Sequence, residues 1–458
     1  MLTSLVVLIA SFIIFFRNIN LYPLRNWDEA WYGEIIKNMV QGGHSLLVPF
    51  WNGQYYFDKP PLYFWLSLPF FKFFGAGEWQ TRIVSTLAAI SASLLVYLVG
   101  KRLFGRAVGL FAFIVFVSLG QLTMRFAHGN LDALLVFLFL ASFYFYLLSS
   151  QRKIFATFCG ISLGLGFLVK GWFLGLYPAL IISLWAFFVE KKLPRNLPLI
   201  VLFTFISSSW YFTLGAVKFG KPFINWYLLN PVAGLLGSPL TSLSLRYFQD
   251  LVKDIGFWWI PVVFFIFKLK KLPSTQTKIL TVLLISIFLF IFPLNFLSEK
   301  LGWYNLPAYP QVAILIAYAL GKLYQKSAKI SFVLIAIVLI AQIYNVARIE
   351  NIYPDRSKVG ADLGKFAKDI IPHGEPIVLD DHDFTAFLFY SNHQMVYETS
   401  QNGGKVGEWW TLKYDDIPQF IENNPKTWIV TPDPKTLKFK GESLREEMIY
   451  NGYHFLQF

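Results

Sequence analysis

Asn26-Trp27-Asp28-Glu29-Ala30 stands just beyond a very apolar segment, Leu5 to Phe16, and the rest of the chain is read outward from it. Further along comes Tyr56-Phe57-Asp58-Lys59-Pro60-Pro61-Leu62-Tyr63. Two adjacent carboxylates beside an apolar run, then a lysine held ahead of a rigid proline pair, have the character of a reaction centre. Ionisable groups near hydrocarbon are costly, so they are rare unless solvated, paired or functional.

Composition sets the class. Of 458 residues, 55% are hydrophobic and 19% aromatic, and only 15% are charged, against roughly a quarter charged in soluble domains. Apolar runs of about twenty residues cross a bilayer core, and the sequence predicts spans near 2–20, 80–100, 107–124, 131–150, 154–169, 172–189, 197–215, 255–267, 279–297, 308–322 and 330–347. The fold class is therefore an α-helical polytopic membrane protein with about eleven transmembrane helices. The first apolar run reads as a retained span, because no small-residue cleavage site follows it. Cys159 lies inside an apolar run and reads as a small core residue.

The formal charge of +13 does not indicate nucleic acid, since no basic stripe with interleaved aromatics accompanies it. The basic residues gather in short clusters between apolar runs: around Lys101 and Arg106, Arg152 and Lys153, Lys191 to Arg195, Lys268 to Lys271, and Lys322 to Lys329. Short cytoplasmic loops collect Lys and Arg in this way. With the N-terminus inside, all five clusters fall on the cytoplasmic side. The loops with Asp28, Lys59, Asp132, Lys170 and Lys300 then fall outside, as does the C-terminal tail.

Residues 1–348 read as the membrane domain, with long outside loops at 21–79 and 216–254, and residues 349–458 as a small soluble α/β domain. Within the first loop, Ala30 to Val40 has the pattern of an amphipathic helix lying at the membrane interface, and Leu62 to Phe74 reads as a broken segment against the membrane. The second loop carries Asn225-Trp226-Tyr227 and Arg246-Tyr247, aromatic and interfacial in character. In the tail, strands are expected at Pro376–Leu379, Met395–Glu398 and Thr427–Val430, and helices at Phe384–Tyr390 and Ile417–Glu422.

Each polar position has two readings. Asp28 is either an N-cap or a general base for a hydroxyl nucleophile, with Glu29 orienting it or binding the acceptor. Lys59 is either a snorkelling interfacial lysine or a cation that steadies a leaving phosphate. Lys170 and Lys300 either end their spans or bind phosphate, and Asp132 either caps a helix or serves the site. Asp380-Asp381-His382-Asp383 suggests a metal, but consecutive residues of an extended loop rarely converge on one ion. No Gly-rich phosphate loop, HExxH helix or GxSxG elbow is present.

Taken in order, Asp28-Glu29-Ala30, Asp58-Lys59-Pro60-Pro61-Leu62, the Asp132 loop, Lys170-Gly171 and the Ser298, Lys300, Tyr304, Pro307-Ala308-Tyr309-Pro310 segment resemble the polyprenol-dependent glycosyltransferases of the GT-C fold. The branch is that of the lipid A aminoarabinose transferases and the dolichyl-phosphate-mannose protein mannosyltransferases. The resemblance covers about 1–345, and the tail is similar to the outer domain of the aminoarabinose type. One departure stands out: the family often shows a basic residue soon after the Asp-Glu pair, where Trp31 follows Ala30 here.

The resemblance implies sugar transfer from a polyprenyl-phosphate donor to a lipid, protein or glycan acceptor on the outer face of the plasma (inner) membrane. Asp28 and Glu29 would be catalytic. Lys59, Lys170 and Lys300 would hold the donor phosphate, and Asp58, Tyr63, Asp132 and Tyr304 would bind substrate. No particular cofactor is predicted, and a divalent cation is compatible with the chemistry. Two rival readings are a transporter or flippase for lipid-linked sugars and a scaffold presenting the tail. A transporter would carry polar residues within broken spans, whereas here they gather at the outside ends.

Overall fold

The computed structural model describes residues 2–17, 19–229, 244–266, 273–297, 301–352, 357–380, 384–399, 409–435 and 444–458. The chain forms two compact units: Met1–Ile19, Phe57–Leu66 and Arg82–Tyr353 make the first, and Asn20–Tyr56, Ser67–Thr81 and Pro354–Phe458 the second.

The first unit is helical. Among the described residues, four helices are long and apolar enough to cross a membrane: Glu78–Phe104, Leu197–Phe219, Ser274–Leu294 and Gly302–Lys326. A further pair, Arg106–Ser118 and Gly120–Phe126, is bent by 73° at its break. Shorter apolar helices include Leu2–Phe16, Asp132–Leu148, Ile154–Lys170, Tyr177–Glu190 and Ala328–Tyr344. This is a multi-pass helical membrane architecture, and each expected span contains a described helix.

Two local devices shape the bundle. Leu119 leaves the helical region at ψ 118 and breaks the bent pair. Gly160 and Gly164 let Ile154–Lys170 approach Leu197–Phe219 closely, because a Cβ at either glycine would collide with backbone carbonyls, of Ile200 and Thr204 respectively. Small residues four apart are a standard way for membrane helices to pack in the absence of a hydrophobic drive.

The second unit contains a mixed sheet. A short hairpin pairs β1 (Phe50–Trp51) with β2 (Gln54–Tyr55). Five strands, β3 (Ile377–Leu379), β4 (Tyr397–Glu398), β5 (Trp428–Thr431), β6 (Glu446–Tyr450) and β7 (Tyr453–Gln457), lie in the order β4-β3-β5-β7-β6. β3 is parallel to β4 and β5, whereas β7 is antiparallel to β5 and β6. Val378, Ile429 and Leu456 from three adjacent strands meet Ile417 and Ile421 of the helix Ile417–Asn423 to form its core.

All five tail elements expected from sequence are present, and the structure adds the β6–β7 hairpin and the helix Ser357–Ile370. The stretch 30–40 is corrected. Its helix runs Asp28–Gln41 and is buried on nearly every side, Glu34 and Lys37 included, so it is no interfacial helix. Leu62–Phe74 is likewise one helix with Pro69 inside it rather than a broken segment. Tyr227 and Tyr247 are buried, while Trp226 is exposed.

Candidate functional site

In the first unit, the predicted residues gather around one buried carboxylate. Gly171, at φ 83, ends the helix Ile154–Lys170 and leaves Lys170 in its last turn, where the helix dipole favours a cation. Lys170 Nζ lies 2.5 Å from Asp132 Oδ1, and Arg125 Nε lies 2.9 Å from Asp132 Oδ2. Asp132 is the first residue of its helix, whose N-cap position is Leu131 and has no side-chain cap, and its own N–H donates to Asn130 Oδ1 at 2.9 Å. Trp303 stacks against the Arg125 guanidinium at 3.9 Å, and Lys170 lies 5.4 Å from the Tyr304 ring centre. Two cations around one anion leave a net positive charge set against aromatic faces.

The Asp58-Lys59-Pro60-Pro61 run is fastened to this cluster at two points. Tyr63, fully buried, meets Ser85 Oγ, and Ser85 Oγ donates to the Asn130 carbonyl at 2.7 Å. Tyr227 hydroxyl donates to the Lys59 carbonyl at 2.8 Å, while the Tyr227 carbonyl accepts from Trp172 Nε1 at 3.0 Å. Tyr227 therefore joins the Lys59 run to the Lys170 hairpin. The Lys59 side chain is partly exposed and paired with Asp58.

The two lysines differ in energetic role. Removing one partner of a buried pair costs about 3–5 kcal/mol, whereas an exposed pair is worth about 0–1 kcal/mol. Lys170→Met should thus lower thermal stability markedly, because Asp132 loses a cation at a buried position. A melting temperature equal to that of the parent chain would show that Asp132 does not depend on Lys170.

Asp28 and Glu29 lie in the second unit. Trp27 takes the N-cap position with φ 64, and the helix starts at Asp28 without a side-chain cap. A left-handed non-glycine residue costs on the order of 1–3 kcal/mol. Here Trp27 N–H donates to Thr385 Oγ1 at 2.6 Å, its ring meets Phe384 edge-on, and Asn26 Oδ1 accepts Ala386 N–H at 2.8 Å. These contacts fix the turn that presents Asp28. Glu29, buried, accepts the Arg25 N–H at 2.8 Å and so braces the same turn. Asp28, half-exposed, accepts a 3.3 Å hydrogen bond from Tyr32. Trp31, at the departure from the family pattern, packs against Trp51, Tyr56 and Trp410.

One turn further, burial pushes the Glu34 carboxyl up to about 7, against the partial relief of Lys37 at 2.5 Å. A carboxyl raised on folding holds its proton better in the folded state. Its stabilising contribution is therefore present in acid and lost as pH rises from about 4.5 through 7, by about 3 kcal/mol in all. Relative to the parent chain, Glu34→Gln should protect the helix Asp28–Gln41 increasingly as pH rises across that window, read by hydrogen exchange corrected for intrinsic rates. A pH-independent difference would mean that Glu34 does not titrate there.

Lys300 lies outside the described residues, as do Asp381, His382 and Asp383. Asp380 is taken up by the sheet, accepting from Tyr414 at 2.6 Å and Thr431 at 2.8 Å. Among the described residues, no group of three or more His, Cys, Asp or Glu is placed to hold a metal ion. Arg125 and Trp303 are additions that the sequence did not single out, and Tyr227, read from sequence only as an interfacial aromatic, proves to be a buried link between two loops. Another addition is Asp254, which accepts the Tyr309 hydroxyl and whose carboxyl burial raises to about 6.

Residues 58–212 match the family model described as dolichyl-phosphate-mannose-protein mannosyltransferase. An uncharacterised protein of Aquifex aeolicus is 27% identical over 74% of this chain and 79% of its own length. The undecaprenyl phosphate-alpha-4-amino-4-deoxy-L-arabinose arabinosyl transferase of Wigglesworthia glossinidia brevipalpis is 24% identical over 70% of this chain, which spans 59% of that relative's length. Among solved structures, ArnT from Cupriavidus metallidurans bound to undecaprenyl phosphate superposes with a TM-score of 0.80, at 18% identity, covering 99% of this chain and 97% of that one. The fold of this chain is thus that of ArnT, and in sequence the chain is similar, over part of its length, to the mannosyltransferase family model and to the aminoarabinose transferases.

Proposed function

We propose that this chain transfers a sugar from a polyprenyl-phosphate donor, such as undecaprenyl or dolichyl phosphate, to a hydroxyl-bearing lipid, protein or glycan at the outer face of the membrane. The observation that carries the reading is the fixed Arg125–Asp132–Lys170 cluster, with the Lys59 run tied to it through Tyr227. A lipid monophosphate leaving group needs a preorganised cation rather than a nucleotide pocket, and donors fixed beforehand stabilise charge that develops in the transition state.

In the proposed step, Asp28 takes the proton of the acceptor hydroxyl as its oxygen bonds to the anomeric carbon. The bond from that carbon to the phosphate oxygen breaks, and both electrons leave with the polyprenyl phosphate. In-line attack inverts the anomeric configuration. Lys59 meets the leaving phosphate, with Lys170 and Lys300 as further cations, and Asp58, Tyr63, Asp132 and Tyr304 position substrate. The outward placement of this chemistry rests on the five basic clusters.

The purified full chain should retain undecaprenyl phosphate in preference to phosphatidic acid, which offers a phosphate monoester on shorter chains. Equal retention of the two would remove the donor assignment.

A further inference from the structure

A cavity of about 520 Å³ opens within the second unit, and its described lining includes no residue assigned a step above. It lies along the C-terminal half of the helix Asp28–Gln41, facing the turn at 373–376 and the segment 392–397. Its volume falls in the range that takes a small-molecule ligand, roughly 300–1,000 Å³.

The lining selects the chemistry. Glu34 is fully buried, yet it lines the cavity, and its Oε1 has no hydrogen-bond partner of good geometry. A buried polar atom left unpaired costs about 1–3 kcal/mol, more if charged, so a ligand that supplies a hydrogen there has a ready partner. Lys37 offers little to an anion. Its ammonium is held by Glu34 at 2.5 Å and by the Phe389 carbonyl at 3.1 Å, over the Phe389 ring. Glu375 is likewise engaged, accepting from Trp428 at 2.7 Å and Gln457 at 3.2 Å. The remaining polar wall is rich in amides, those of Gln41, Asn392 and Gln394 beside Asn38 and Asn424, each both donor and acceptor, and it includes the His373–His393 pair with ring centres 5.4 Å apart. Tyr397 contributes a partly exposed aromatic side chain. Amides and a carboxylate beside an aromatic ring match a molecule with hydroxyls at its edge and C–H groups on its face.

We propose that this cavity is a saccharide-binding site, taking about one to three sugar residues, with Glu34 accepting a hydroxyl hydrogen and the amides of Gln41, Asn392 and Gln394 completing the contacts. None of these residues is assigned a step in the transfer, so the test does not read activity.

The full chain in detergent is titrated calorimetrically with maltotriose, chitotriose, triacetylchitotriose and inorganic phosphate. The same titrations are made on Glu34→Gln and on the exposed-rim double variant Gln41→Ala/Gln394→Ala, whose side chains sit at the surface. At least one trisaccharide should bind at millimolar concentration or below, and both variants should weaken it about tenfold or more, the loss expected for one or two hydrogen bonds. The rim variant should melt at the parent temperature, which keeps the result independent of Glu34. Absence of trisaccharide binding, binding that neither variant weakens, or binding of phosphate in its place would overturn the proposal.

Discussion

Asp28→Asn is expected to lower sugar transfer by about 10²–10⁴-fold, the range for loss of a positioned general base, while the protein stays folded and retains donor lipid. The swap keeps the shape of the side chain and its capacity to accept from Tyr32, which stands 3.3 Å away. It removes only basicity. The turn that presents residue 28 is fixed by Trp27 and by the Glu29 contact to Arg25 N–H, neither of which involves the Asp28 side chain. An unchanged melting temperature would separate any loss of turnover from a collapsed turn. Near-normal turnover with a hydroxyl acceptor would leave Asp28 as a structural residue of the first helical turn. A phosphate acceptor, already ionised, would need no base and would show a milder loss.

Lys59→Met should lower kcat by about 10²–10³-fold, as expected for one donor to a developing oxyanion, with donor affinity falling less. A contact that strengthens as charge develops contributes more in the transition state than in the ground state. The methionine keeps the apolar stem, and the pairing of Lys59 with the partly exposed Asp58 contributes little to stability. The Lys59 backbone remains held by Tyr227. A drop in yield or melting temperature, with turnover per folded molecule unchanged, would make Lys59 an interfacial lysine and move the phosphate role to Lys170.

The fold was legible where apolar runs and strand–helix alternation dominate. Every expected span holds a helix, and strands β3, β4 and β5 lie within a residue or two of the stretches read from sequence. The β6–β7 hairpin escaped notice although Asn451-Gly452, at φ 51 and 79, is a strong turn signal. Strand β6 lies at the sheet edge and is mostly exposed, so Glu446 and Glu447 mask the alternation that marks a half-buried strand.

The helix Asp28–Gln41 shows a different limit. Glu34 and Lys37 satisfy each other in part when buried, and a pattern of charges cannot tell a solvated face from an internal pair. The candidate residues were legible as lysines and carboxylates at the ends of apolar runs. What holds them was not. Arg125 reads as one more loop cation until Asp132 and Trp303 are seen on either side of it, and Tyr227 meets Lys59 across 168 residues of chain. Trp27 adopts a backbone conformation that its side chain does not favour, and its supports come from Thr385 and Phe384. Such long-range partners leave no local periodicity.

The most direct test of the central claim reconstitutes the full chain in liposomes with undecaprenyl-phosphate-linked sugar labelled in the sugar, together with an acceptor fraction from cell envelopes. The account predicts that label passes to the acceptor with stoichiometric release of undecaprenyl phosphate, and that Asp28→Asn stops both. Label that crosses the bilayer while still attached to the prenyl phosphate, with none passing to acceptor, would contradict it and make the chain a transporter of lipid-linked sugars.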